Sequence, residues 1–136
     1  FDISEIGSGE STIDDIDLTL VKADMFVAFY SDYTRKYGYG SETYQKEHPQ
    51  LTKELIDVLL ERKISIIGID FAGVRRGAEH SPMDQYCADR NVFVVENLCN
   101  LEEILKGKTH AAFLANTYPM NNKEVTGLPC RVIAEV

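Results

Sequence analysis

The chain of 136 residues is 44% apolar and 26% charged, a balance that suits one folded domain and excludes a wholly disordered, collagen-like or low-complexity polypeptide. Its 14 Lys and Arg against 22 Asp and Glu leave a net charge of −8, which argues against nucleic acid as a partner and is compatible with cation binding. Apolar runs end at about six residues, too short for a membrane-spanning helix. Three cysteines, Cys87, Cys99 and Cys130, are odd in number and form no CxxC, which points away from a disulfide scaffold or zinc finger and towards a reducing cytoplasm. No secretory leader opens the chain, and it starts at Phe1 rather than Met, so a portion of a longer protein is expected.

Within the acidic first 24 residues, Ile13, Ile16 and Leu20 fall at helical spacing behind a cap at Ser11 or Thr12. The run 25–30 reads as a buried strand. Residues 31–50 are polar and carry Tyr33, Tyr37, Tyr39 and Tyr44; a structureless loop of that length suggests a substrate lid or an oligomer contact. Thr52 caps a helix from Leu51 to Arg62, with Leu55, Ile56, Leu59 and Leu60 as its apolar stripe. Residues 64–70 and 92–97 read as two further strands, each closing on a carboxylate, Asp70 and Glu96. Between them, Ser81 as N-cap and Pro82 in the first turn predict a helix to about Arg90. A short helix is expected from Asn100, and strands over 110–118 and 131–136. Strands apolar on both faces that alternate with helices argue for an α/β domain with a parallel or mixed sheet, whose ligands gather at the carboxyl ends of the strands.

No nucleotide-binding glycine motif, GxSxG elbow or HExxH is present. Chemistry-bearing residues concentrate in 70–96. Glu96, at the end of an apolar strand, must reach a cation, a donor or water, as a metal ligand, a general acid or base, or one half of an ion pair. His80 suits a metal ligand or base, or a solvated turn. Asp84, in the first turn of the expected helix, is a base or ligand candidate, or serves the helix end alone. Asp70 binds a metal, orients a neighbour or caps the following turn. Arg75 and Arg76 either clamp an anionic substrate through their forked donors or neutralise Asp70 and Glu79. Tyr33, in the tyrosine-rich segment, is a further substrate-binding candidate. Cys87 reads as a packed helix residue, and His48 and His110 as structural.

Three stretches, 66–70 (IIGID), 92–98 (VFVVENL) and 127–134 (GLPCRVIA), resemble the cyclase family that includes the bacterial metal-dependent kynurenine formamidases and isatin hydrolases. Residues 23–29 (ADMFVAF) and 48–51 (HPQL) are similar to the family's strand before the substrate loop and its lead into the next helix. The resemblance implies an α/β fold of the swivelling β/β/α kind over 1–136 as a single domain. It also implies a divalent metal, zinc or manganese, that serves hydrolysis of a small amide or cyclic amide. The family's Glu that closes the VENL strand belongs to its metal site, which carries over to Glu96. Its His twelve residues earlier falls on Asp84 here, with His80 nearby. His80 and Glu96 are therefore the expected metal ligands, with Asp84 as the alternate ligand or base. The family's main ligand motif, HxGTHxDxPxH, is absent from these 136 residues. That absence keeps a second expectation open: a non-catalytic or incomplete cyclase-like subunit that binds a partner through its tyrosine-rich loop. A homo-oligomer is expected on either reading.

Overall fold

The computed structural model describes residues 1–136. Its centre is a three-stranded parallel sheet in the order β2 (Phe26–Phe29), β4 (Ile66–Ile69), β5 (Phe93–Val95). Val27 lies beside Ile67, and Ile67 beside Val94, so the three strands end at one edge. A short parallel pair, β1 (Glu10–Ser11) with β3 (Gln50–Leu51), flanks it. An antiparallel hairpin, β6 (Leu114–Pro119) with β7 (Cys130–Glu135), closes the chain. The expected mix of parallel and antiparallel strands with helices is present, divided among three small sheets.

Helix α3 (Lys53–Glu61) starts where expected, because Thr52 Oγ1 accepts the Leu55 N–H at 3.2 Å. Its stripe of Leu55, Ile56, Leu59 and Leu60 is buried in one core with Val27 and Phe29 of β2 and Ile67 and Ile69 of β4. Gly68 in β4 is required by close approach. A Cβ there would run into the Phe26 ring and reach Leu98 at 2.9 Å. No helix is long and apolar enough to cross a membrane.

Three local expectations change. The helical spacing at 13–20 produces two single 3₁₀ turns, Ile13–Asp15 and Leu18–Leu20, because Thr12 and Asp17 each cap a separate turn. Residues 31–50 are not a structureless loop. They form α1 (Tyr33–Tyr37) and α2 (Glu42–Glu47), with Tyr33 and Tyr44 buried. Helix α4 spans His80–Ala88, so Ser81 lies inside it and is not its cap; a 3₁₀ turn over Gly77–Glu79, entered at a φ of +58° at Gly77, starts the helix earlier. Pro82 is tolerated because the N–H groups of a first helical turn lack intrahelical partners. The short helix after Asn100 is α5 (Leu101–Leu105).

Asp70 follows β4 and is buried, yet its carboxylate is fully engaged. Oδ1 accepts from Ser31 N at 2.8 Å and Ser31 Oγ at 2.6 Å, and Oδ2 accepts from Asp32 N at 2.9 Å. The Thr34 hydroxyl donates to the Asp70 carbonyl. Asp70 thus orients its neighbours and ties the exit of β2 to the exit of β4. Burial outweighs these donors and pushes its carboxyl up to about 6. The folded state then holds more protons than the unfolded chain between pH 3.8 and 6. Asp70's contribution to stability is full below that window and falls as pH rises through it, by at most about 3 kcal/mol. A carbon-detected NMR titration should show a midpoint near 6 for this carboxyl; a midpoint near 4 would contradict the assignment.

Candidate metal centre

His80 is the first residue of α4, and Asp84 lies one turn further on the same face. Glu96 comes immediately after β5, whose Val95 pairs with Gly68, so its carboxylate emerges at the carboxyl edge of the parallel sheet. The two elements meet there. His80 Nε2 lies 2.7 Å from Glu96 Oε1 and 3.2 Å from Asp84 Oδ2. One ligand atom from each of the three residues falls within 4.8 Å of the others. All three side chains are partly open, at 36% for His80, 35% for Asp84 and 25% for Glu96.

Asp84 Oδ1 is buried and has no hydrogen-bond partner. Burial and the neighbouring Glu96 carboxylate push the Asp84 carboxyl well above the usual carboxylate range, against the pull of His80. Two carboxylates and one imidazole converge here without a Lys or Arg among their partners. An unpaired buried carboxylate oxygen is costly unless something charged or protic satisfies it. The donor set, one nitrogen and two carboxylate groups, suits a borderline to hard divalent cation.

Gly73 forms the floor under the imidazole. A Cβ at this residue would lie 3.0 Å from both Cδ2 and Nε2 of His80 and 2.8 Å from the Arg75 carbonyl, and its φ is +153°.

The remaining candidates lie elsewhere. Arg75 gives Nη1 to Glu10 at 2.6 Å and to the Leu51 carbonyl at 3.1 Å, and Nη2 to Glu79 at 2.7 Å. Its fork is taken up by the expected Glu79 and by Glu10, whereas Asp70 takes its donors from the exit of β2. The Arg76 guanidinium makes only two contacts, at 3.5 Å, to the Lys46 and Ser8 carbonyls. Tyr33 is buried, and its hydroxyl donates to the Glu47 carbonyl at 2.8 Å. Cys87 is packed in the core, where burial pushes its thiol up to about 11. His48 is buried, stacks on Phe71 and bonds the Pro49 carbonyl through Nδ1 at 2.7 Å.

Two features were not readable from the sequence. The Tyr44 hydroxyl donates to Asn97 Oδ1 at 2.6 Å across 53 residues. A cavity of about 640 Å³ adjoins Glu96, lined by Phe26, Val95, Leu98 and Phe113 and by strand β7. Only the fold brings β7 to Glu96, and no local pattern marks it.

The family model described as "putative cyclase" matches residues 2–75. The chain belongs to this cyclase family. The match runs from the first turn to Arg75, past β4 and Asp70, and stops before His80. No curated protein matches the chain. A solved structure described as a potential metal-dependent hydrolase with cyclase activity superposes with a TM-score of 0.75 at 21% identity. The alignment covers 98% of this chain and 61% of that one. The cyclase-family chain therefore shares the neighbour's fold over nearly its whole length and spans about three fifths of the neighbour's.

Substituting Gly73 tests the floor of this candidate site. Gly73→Ala should displace the His80 ring and destabilise the chain by about 1–3 kcal/mol. Long-range proton–nitrogen NMR of the imidazole should show Nε2 shifted from wild type. An unchanged His80 spectrum would contradict the packing described.

Proposed function

We propose that this chain carries one wall of a metal-dependent amide hydrolase site that acts on a small amide or cyclic amide. The supporting observation is the convergence of His80, Asp84 and Glu96, with the second oxygen of Asp84 buried and unpartnered. The family membership and the neighbour's description as a potential metal-dependent hydrolase agree with it. In this reading His80 Nε2 and Glu96 Oε1 hold a zinc or manganese ion, and Asp84 is the alternate ligand or the base. When bound, such an ion supplies Lewis acidity toward a carbonyl and acidifies water towards a pKa of about 7.

The residues divide the work by position. Glu96 lies 2.7 Å from the His80 imidazole in the metal-free chain and lines the 640 Å³ cavity, so it borders both the ion's ligand set and the space for substrate. Phe26, Val95, Leu98 and Phe113 give that cavity an apolar wall and displace water from it. Asp84, whose Oδ2 lies 3.2 Å from His80 Nε2, is placed to take a proton from water and return it to the leaving nitrogen. Arg76, the less engaged of the two arginines, is available to steer an anionic group. The three free cysteines fit a reducing, cytoplasmic setting.

A second reading rests on the hairpin. Leu114, Tyr118 and Ile133 are exposed on β6 and β7, as is Val136 beyond them. Such a surface suits a non-catalytic binding or homo-oligomerisation module.

The test is metal loading after chelator treatment. Wild-type chain dialysed against zinc or manganese should retain about one equivalent by mass spectrometry, and Glu96→Ala should bind at least about tenfold more weakly. Hydrolysis of a panel of small N-acyl and cyclic amides should fall with it. Activity that survives Glu96→Ala undiminished would contradict the hydrolase reading. Metal-free wild type that sediments as a dimer would favour the second.

A further inference from the structure

Glu96 has no backbone regularity to hold it, because β5 ends at Val95 and α5 begins at Leu101. What fixes it is the turn that follows. The Asn97 N–H donates to the Phe71 carbonyl at 3.2 Å, and the Leu98 N–H donates to the Ile69 carbonyl at 2.9 Å, so the turn folds over the end of β4. Asn97 adopts a left-handed conformation, φ +59°, which a residue other than Gly, Asn or Asp adopts only with strain.

The side chain of Asn97 is held in turn from a distant element. Tyr44, on α2, is 1% exposed, and its hydroxyl donates to Asn97 Oδ1 at 2.6 Å. Its own backbone N–H is bonded to Ser41 Oγ at 3.1 Å, and its ring sits beside those of Tyr33 and Tyr39. The hydroxyl is thus delivered by a packed, capped helix. Burial pushes Tyr44 up to about 12, so the hydroxyl stays a donor over the whole physiological range.

From this geometry we propose that Tyr44 is a positioning residue for the metal centre: through Asn97 it locks the 96–98 turn in the conformation that aims Glu96 at His80. The tyrosine-rich segment then serves as a brace for the ligand turn in place of the lid or oligomer contact that its composition suggests. The role at the metal rests on the functional reading above, whereas the brace itself does not.

The experiment pairs Tyr44→Phe with Asn97→Gly and the double variant. Hydrogen exchange read by NMR on the metal-free chain should show the Asn97 and Leu98 amides at least about tenfold faster in Tyr44→Phe. The Phe93 amide, bonded to the Ser65 carbonyl at the other end of β5, should keep its wild-type rate. Zinc affinity should fall about tenfold, as expected for loss of a group that orients a ligand. The double variant should be no weaker than Asn97→Gly alone. Unchanged exchange at 97 and 98, or loss spread evenly over the sheet, would overturn the proposal. Faster exchange with unchanged zinc affinity would overturn the role at the metal. Failure of the wild type to bind zinc would contradict the functional reading alone, and the exchange rates would still decide the brace.

Discussion

Parallel pairing of β2 with β4 and of β4 with β5 sends three chain exits to one edge: Ser31 and Asp32 after β2, Asp70 after β4, Glu96 after β5. Parallel strands need crossover connections, and here these are the α1–α2–β3–α3 stretch and α4. The second crossover brings its helix N-terminus back to the same edge, which puts His80 and Asp84 opposite Glu96. The candidate centre is a consequence of that connectivity. No single segment contains it.

Two raised carboxyls at this edge behave differently for physical reasons. Asp70 accepts from three donors on neutral groups, which offset its burial only in part, and it serves as a tie between strand exits. Asp84 has one buried oxygen with no partner and a second carboxylate close by, so its environment lacks positive charge. The first arrangement is complete as it stands. The second is satisfied by a proton or a cation, which is why the proposed site takes Asp84, His80 and Glu96 and leaves Asp70 to the scaffold.

Much of this was legible because it is local. An apolar run that closes on Glu96, and a His and an Asp near a helix start before it, mark 70–96 as the region that carries chemistry, while the choice of His80, Glu96 and Asp84 as ligand candidates rests on the resemblance to the cyclase family. The α3 stripe and its Thr52 cap were legible for the same reason. The start of α4 is hidden because Ser81-Pro82 looks like a cap, while Gly77 and its turn begin the helix two residues sooner, at His80. That difference matters, since it makes His80 and Asp84 neighbours on a helix face. The tyrosine-rich segment was unreadable as structure because Tyr33 and Tyr44 find their partners, Glu47 and Asn97, only in the folded chain. One side of the cavity beside Glu96 comes from strand β7, more than thirty residues downstream, and no periodicity announces it.

The most direct measurement is a crystal of the chain soaked in zinc and recorded at the zinc absorption edge. The account predicts an anomalous peak bounded by His80 Nε2, Glu96 and Asp84, at roughly 2.0–2.2 Å from its ligand atoms. A peak elsewhere, or a His80–Glu96 hydrogen bond that persists unchanged at saturating zinc, would contradict it.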